Sequence, residues 1–166
     1  MREKISDSPV LVIVRIRPLS ETEQKHGEQE CVQTLTKSTL RIRSSENDDS
    51  LTRRRTKGIG HTNKLTSHLF KYDSILNCQA SQDRTYGVTA HLLVDKVLEG
   101  FNSTIFAYGQ TGAGKTHTMM GSKNDPGVML SMTEEIMERL NLSDSIQASF
   151  IEIYDEKIYD LWTYHT

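Results

Sequence analysis

The stretch Gly109-Gln110-Thr111-Gly112-Ala113-Gly114-Lys115-Thr116 decides the fold, because it matches the phosphate-binding pattern of a glycine, four residues and Gly-Lys-Thr. A β-branched and aromatic run over 103–108 precedes it and predicts a strand, and residues 117–120 can continue a helix after it. A strand, a glycine-rich turn and a helix start are the context that this motif requires. The alternative is a glycine loop that merely turns the chain. We predict a phosphate-binding loop.

Each residue type in this loop has a physical task. The glycines let backbone N–H groups turn toward phosphate oxygens. The helix N-terminus that follows adds unsatisfied N–H groups and a partial positive charge. Lys115 is expected to reach the β- and γ-phosphates of a nucleotide, and the Thr116 hydroxyl to ligate Mg²⁺.

The composition limits the classes of protein. A length of 166 residues predicts one domain with a real core, and a net charge of −2 makes no general case for nucleic acid or a membrane as partner. The chain has no apolar run of about 18 residues, and residues 1–4 lack the apolar stretch of a signal peptide. Cys31 and Cys78 lie too far apart in sequence to suggest a zinc pattern or a disulfide framework. We expect an intracellular protein in a reducing compartment.

Hydrophobic patterns outside the loop predict alternating strands and helices. The apolar run over 10–14 indicates a strand buried on both faces, and further strands are expected near residues 35–42, 69–72 and 147–154. One helix is expected between an N-cap at Ser81 and Gly100, with a buried face made by Tyr86, Ala90, Leu93 and Val97.

A second helix is predicted from a capping box. Ser131 followed by Glu134 has the spacing of that box, and the apolar side chains after it would form a buried face. The residues expected on that face are Met132, Ile136, Met137 and Leu140. The preceding residues 125–127 predict a turn.

Two charged segments allow more than one interpretation. The region 37–71 carries nine Lys or Arg against three acids, which is about +6, while the rest of the chain carries about −8. Its centre over 44–64 is either a polyanion-binding arm or a mobile basic surface loop, and no aromatic residues interleave with Arg53 to Arg55 for base stacking. Asp155 and Glu156 after the last strand are either a carboxylate support for Mg²⁺ or acids in a solvent-facing turn.

Four motifs, in order along the chain, resemble the N-terminal half of the kinesin motor domain. They are Val14-Arg15-Ile16-Arg17-Pro18-Leu19, Phe70-x-Tyr72-Asp73, the run from Gly100 to Met119 around the phosphate loop, and Phe150-Ile151-Glu152-Ile153-Tyr154-x-Glu156-x-Ile158-x-Asp160-Leu161. The resemblance covers residues 10–162 and is weakest over 21–69. It implies an α/β fold, a P-loop NTPase-type three-layer sandwich with a central, mostly parallel sheet that is incomplete here.

The resemblance also implies a division of the chain and a set of ATP-binding residues. Residues 1–9 would be an N-terminal tail, 10–162 a partial motor domain with a basic variable loop over 44–64, and 163–166 a divergent tail. The implied ATP site, whose base lies near Pro18 and His117, consists of Arg15, Arg17, Pro18, Gly109, Gln110, Thr111, Gly112, Ala113, Gly114, Lys115, Thr116 and His117. Thr116 would again be the Mg²⁺ ligand.

For function, the resemblance implies the ATP-binding portion of a microtubule motor located on the cytoskeleton of the cytoplasm. Tubulin would be the partner of the parent protein, and contact through residues 53–57 is an open possibility. Both switch motifs, Asn-x-x-Ser-Ser-Arg-Ser-His and Asp-x-x-Gly-x-Glu, are absent from this sequence. The main tubulin-binding elements and a dimerisation region are not expected in it either. Since phosphoryl transfer depends on positioning, we expect nucleotide binding with little or no turnover.

Three hypotheses therefore stand. The first is an ATP-driven microtubule motor represented by its nucleotide-binding half. The second is a non-catalytic nucleotide- or microtubule-binding fragment, and the third is an unrelated small P-loop kinase. Under the first two, apolar strands would keep unpaired edges, so we expect the isolated chain to be marginally stable.

Overall fold

The computed structural model describes residues 10–45, 65–141 and 143–162. The predicted tails over 1–9 and 163–166 lie outside the described residues, as does the predicted basic loop beyond residue 45. The elements in chain order are β1 (Ile13–Arg15), α1 (Glu21–Lys25), β2 (Val32–Thr34), β3 (Thr39–Ser45), β4 (Leu65–Lys71), β5 (Ser74–Leu76), α2 (Gln82–Thr89), α3 (His91–Leu98), α4 (Lys115–Met119), β6 (Gly121–Ser122), β7 (Asp125–Pro126), α5 (Val128–Arg139), β8 (Ile151–Tyr154) and β9 (Lys157–Asp160).

A parallel strand pair forms the centre. β1 pairs with β5, with Val14 opposite Ile75, and Ile75 and Leu76 are buried. The strand predicted over 10–14 is shifted and less buried than expected, since Val10, Leu11 and Val12 are about half exposed. β1 has one neighbouring strand among the described residues, so its other edge and much of its apolar run stay uncovered.

An antiparallel sheet of β2, β3 and β4 flanks this pair. Thr39 lies opposite Lys71 at one end of the β3–β4 register, and Leu40 lies opposite Phe70. Leu40 is 3% exposed and belongs to the core. The strand predicted near residues 69–72 is confirmed in position by β4, which is longer than predicted. Of the range 35–42, residues 39–42 lie in β3, whereas residues 35–38 connect β2 to β3.

The helical segment after β5 begins as predicted but is broken in the middle. The Ser81 hydroxyl accepts a hydrogen bond from the Arg84 N–H at 3.1 Å and caps α2. Ala90 ends α2 and begins α3. Ala90 and Val94 are fully buried, whereas Val97 from the predicted face is 37% exposed.

The observed helix α5 differs from the predicted helix in two respects. It begins at Val128, with Gly127 at the N-cap and no side-chain cap, so Ser131 lies inside the helix and the predicted capping box is wrong. Buried Val128 anchors the helix start, while Met137 from the predicted face is 64% exposed. The predicted turn over 125–127 is displaced to residues 123–124, between β6 and β7.

The segment before the phosphate loop is not a strand. Residues 101–109 join no sheet, and Phe106 and Tyr108 are 74% and 94% exposed. A strand forms only where a neighbour satisfies its backbone groups, and none of the described strands lies beside this segment. The predicted α/β class with an incomplete parallel sheet is confirmed. The strand predicted just before the phosphate loop is one of the parts that this sheet lacks.

The last elements form a two-stranded hairpin. β8 pairs antiparallel with β9, and the turn between them is Asp155 and Glu156, both with positive φ (49° and 59°). The two acids thus occupy an exposed turn, as one of the two interpretations predicted. Phe150 stacks on Trp162 with ring centroids 5.6 Å apart, beside the hairpin. Within the described part of the chain, none of the helices has the length and apolarity needed to cross a membrane.

A polar cluster joins α5 to α2 and α3. The Tyr86 hydroxyl donates to the Glu135 carboxylate, His91 Nδ1 lies 2.9 Å from it, and Arg139 bridges it to Asp95 with contacts of 2.9 and 2.8 Å. Burial by itself would raise the pKa of Glu135. The hydrogen bonds from Tyr86, His91 and Arg139 outweigh that effect and lower the pKa to about 2.

This cluster predicts acid sensitivity. A carboxylate whose pKa is lowered by folding stabilises the folded state at pH values above its pKa in the unfolded chain, here 4.5. This contribution is lost as the pH falls toward about 2, the pKa in the folded chain. In urea denaturation between about pH 5.5 and about pH 3, Glu135→Gln should lose less unfolding free energy than the wild type. The matched control Glu134→Gln, on the exposed side of the same helix, should follow the wild type. An equally steep loss in Glu135→Gln would contradict the assignment.

Candidate functional site

The phosphate loop has the backbone that its glycines predict. Gly114 adopts φ +94° at the N-cap of α4, a conformation that a side chain would strain. The Ala113 N–H donates to the Gln110 carbonyl at 3.1 Å, and the Thr118 N–H donates to the Gly114 carbonyl at 2.9 Å. The loop therefore closes as a turn and passes directly into the helix, as the motif predicted.

Lys115 folds back across this loop. Its ammonium group donates to the Gly109 carbonyl at 2.7 Å and to the Gln110 carbonyl at 3.0 Å. An ammonium has three donors, so two bonds to the loop leave one N–H for another acceptor. The loop thus holds a positive charge at its own mouth.

Two adjoining cavities surround the loop. The smaller one, of about 340 Å³, is lined by the loop and the start of α4, including Thr111, Lys115 and Thr116. The larger one, of about 490 Å³, is lined on one side by Arg15, Arg17 and Pro18 and on the other by Ala113. Both cavities share three lining residues, which are Gly112, Gly114 and His117. The structure thus brings the two sequence-distant parts of the predicted site together.

Arg15 connects the strand pair to the helices α2 and α4. Its guanidinium donates to Gln82 Oε1 at 2.8 Å, to Thr118 Oγ1 at 3.1 Å and to the Ala80 carbonyl at 3.3 Å. Burial lowers the pKa of Arg15, and the charge of Asp125 opposes that shift. Arg15 is therefore a partly buried cross-link and not a solvated strand end.

Arg17 is held differently, at the surface. Its guanidinium pairs with both carboxylate oxygens of Glu23, at 2.5 and 2.7 Å, and donates to the Pro18 carbonyl at 3.0 Å. Glu23 also completes the capping box of α1 with Ser20. Hydrogen bonding from Arg17 lowers the pKa of Glu23 to about 2 and raises that of Arg17. Arg17 thus lines the cavity while its charge is paired with that of Glu23.

The sequence analysis missed residues that the structure places at the site. Gln82 is 2% exposed and contacts both Arg15 and His117. Its position directly after an N-cap carried no signal, because polar residues in a first helical turn are usually exposed. Thr118 could have been found, since it lies three residues after Lys115 and so on the same face of α4.

Comparison with known proteins adds the family. A family model described as the kinesin motor domain matches residues 15–165. The chain belongs to the kinesin motor-domain family. The kinesin resemblance of the four sequence motifs is thereby confirmed.

Kinesin relatives cover nearly all of this chain. Kinesin-like protein KIF18B of Mus musculus is 33% identical over 164 residues, which is 95% of this chain and 20% of that protein. Kinesin-like protein KIN-8A of Arabidopsis thaliana is 33% identical over 161 residues, 94% of this chain and 21% of that protein. This chain therefore spans about a fifth of the length of these curated kinesins.

A solved kinesin structure supports the fold. Its description reads "Structure of a fast kinesin: Implications for ATPase mechanism and interactions with microtubules". It superimposes with a TM-score of 0.72 and 28% identity over 91% of this chain and 40% of its own. The mixed α/β architecture with a partial sheet is thus that of a kinesin motor domain.

The Arg15 cross-link predicts a stability effect in this kinesin chain. Arg15→Lys replaces a planar fork by a single ammonium, which cannot reach all three acceptors and leaves Gln82 or Thr118 unsatisfied. We expect it to lower the free energy of unfolding by about 1–3 kcal/mol in urea denaturation.

The matched control for this change is Arg84→Lys, at an exposed position of α2. It should change the free energy of unfolding by no more than about 0.5 kcal/mol. Equal effects of the two substitutions would show that the Arg15 contacts contribute nothing.

Proposed function

We propose that this chain is the ATP-binding portion of a kinesin-like microtubule motor. The observation that carries the proposal is that two cavities share lining residues, and one of them is lined by Lys115 and the other by Arg15, Arg17 and Pro18. Because Gly112, Gly114 and His117 line both cavities, a single nucleotide can occupy the two cavities together, with its phosphates in one and its base in the other. In this proposal the triphosphate lies in the smaller cavity and the adenine in the larger.

The charges and volumes support this arrangement. The smaller cavity has an ammonium at its mouth and glycine N–H groups around it, which suits phosphate oxygens. The larger one is lined by proline and by alkyl and ring surfaces, which suits a flat base. The volumes of about 340 and about 490 Å³ lie in the usual range for ligand sites, about 300–1,000 Å³.

The donor groups present also fit Mg²⁺. Among the described residues no group of three His, Cys, Asp or Glu side chains could hold a metal by itself. Thr116 is exposed and lines the smaller cavity, where its hydroxyl can supply one oxygen. Mg²⁺ commonly takes few protein ligands and completes its shell with substrate phosphates and water, so Thr116 is the proposed ligand. The ion would supply charge neutralisation at the phosphates.

Turnover and filament binding are proposed for the parent motor and not for these residues in isolation. Both switch motifs are absent from the sequence, and phosphoryl transfer depends on such positioning groups. We propose microtubules as the partner and the cytoplasmic cytoskeleton as the location, on the basis of the kinesin relatives. The alternative is a non-catalytic nucleotide- or microtubule-binding fragment.

Nucleotide binding predicts ligand-dependent stability. Mg·ATP at about 100 times its Kd should stabilise the wild type by about 2.7 kcal/mol, measured as a shift in urea denaturation. Lys115→Ala should abolish this stabilisation, because it removes the cation at the loop. Lys123→Ala, at an exposed position in the turn between β6 and β7, should keep it. Undiminished ATP protection of Lys115→Ala would remove the proposed phosphate site.

The two functional hypotheses differ in turnover. Phosphate release should stay at the Lys115→Ala background with and without microtubules, because the chain binds ATP without the groups that position water. The measurement is a coupled phosphate assay with a full-length kinesin motor domain as positive control. Microtubule-stimulated release by these 166 residues would show instead that the chain is itself a catalytic motor domain.

A further inference from the structure

A buried glutamine links two residues that line the larger cavity of the proposed nucleotide site. Gln82 is 2% exposed and lies at the start of α2. Its Oε1 accepts from Arg15 at 2.8 Å, and its Nε2 donates to the His117 carbonyl at 2.6 Å and lies 3.3 Å from His117 Nδ1. One carboxamide therefore connects the end of β1 with the second residue after Lys115 in α4.

The chemistry of these partners sets the direction of the amide. A guanidinium has donors only, so the atom of Gln82 that faces Arg15 is the oxygen. The NH₂ group must then face His117, where the backbone carbonyl accepts one of its hydrogens. The other hydrogen points to Nδ1, which has to accept it. In the neutral ring, the proton is left on Nε2.

We propose that Gln82 is a positioning residue that holds the His117 imidazole as the Nε2–H tautomer and Arg15 in its cavity-lining position. The proposal rests on the nucleotide site proposed above. Arg15 and His117 both line the larger cavity, and both lose a partner if Gln82 changes. Lys115 instead donates hydrogen bonds to the Gly109 and Gln110 carbonyls of the loop. The role of Gln82 therefore concerns the base end of the nucleotide more than its phosphates.

Gln82→Glu separates positioning from simple packing. The variant keeps the size of the side chain and an oxygen for Arg15, but it loses the NH₂ donor. A carboxylate beside Nδ1 can only accept a hydrogen bond, whereas the amide NH₂ donates one, so the preferred protonation of His117 moves to Nδ1. Gln79→Glu is the matched control, since it adds the same charge at an exposed position three residues away.

The first test requires no ligand. Heteronuclear NMR of isotope-labelled histidine, at a pH well above about 6.5, reports which ring nitrogen carries the proton. We expect Nε2–H for His117 in the wild type and in Gln79→Glu, and Nδ1 protonation in Gln82→Glu. The His117 signals are assigned by their loss in His117→Asn. An Nδ1–H tautomer in the wild type, or identical His117 signals in Gln82→Glu and the wild type, would overturn the proposal.

The second test measures binding by titration calorimetry with Mg·ATP and with inorganic tripolyphosphate, which has no base. Gln82→Glu should weaken ATP binding about tenfold or more and tripolyphosphate binding by less than about threefold. Gln79→Glu should change either affinity by less than about threefold. Equal weakening of both ligands by Gln82→Glu would mean a merely structural role. Absence of ATP binding by the wild type would refute the nucleotide site, while the NMR result would still decide the role of Gln82.

Discussion

The three hydrogen bonds of one guanidinium group hold the site together. Arg15 ends the central strand β1, and its nitrogens bond to Gln82 at the start of α2, to Thr118 in α4 and to the Ala80 carbonyl. Because guanidinium donors point in fixed directions, these bonds set the separation between the strand pair and the helix that follows the phosphate loop. The larger cavity lies between these two parts, so its shape depends on this cross-link.

A second constraint explains why the sheet is partial. Strands need neighbours on their edges and cover on their faces, and the described residues supply neither to several apolar segments. Phe106 and Tyr108 before the phosphate loop are 74% and 94% exposed, and Ile151 and Ile153 in the hairpin are 62% and 69% exposed. Among the described residues, the buried apolar side chains include Leu76 in β5, Ala90 between α2 and α3, and Val94 in α3. The phosphate loop continues directly into the helix α4, but no strand directly precedes it in the described residues.

Local patterns predicted those features that local chemistry controls. The Ser81 cap, the glycine loop and the helix from Lys115 depend on neighbouring residues, and all three are present. The same type of pattern misled at Ser131, where serine and glutamate at the capping-box spacing lie inside α5. Burial of Val128 moved the helix start upstream, and such packing has no signature within a few residues. The strand over 103–108 failed for a related reason, since a strand is completed by partners from elsewhere.

The sequence by itself determined the chemistry of the site, which consists of a glycine-rich loop with Gly-Lys-Thr, an ammonium, a hydroxyl and a basic strand end. The kinesin family followed from the order of four motifs and was confirmed by comparison. Only the tertiary structure decided that Arg15 is an internal cross-link while Arg17 is a surface ion pair, although the two residues look alike in sequence. The same holds for Gln82, whose role depends on partners 67 and 35 residues away. Bonds over such separations arise from the packing of whole elements, which short sequence patterns do not record.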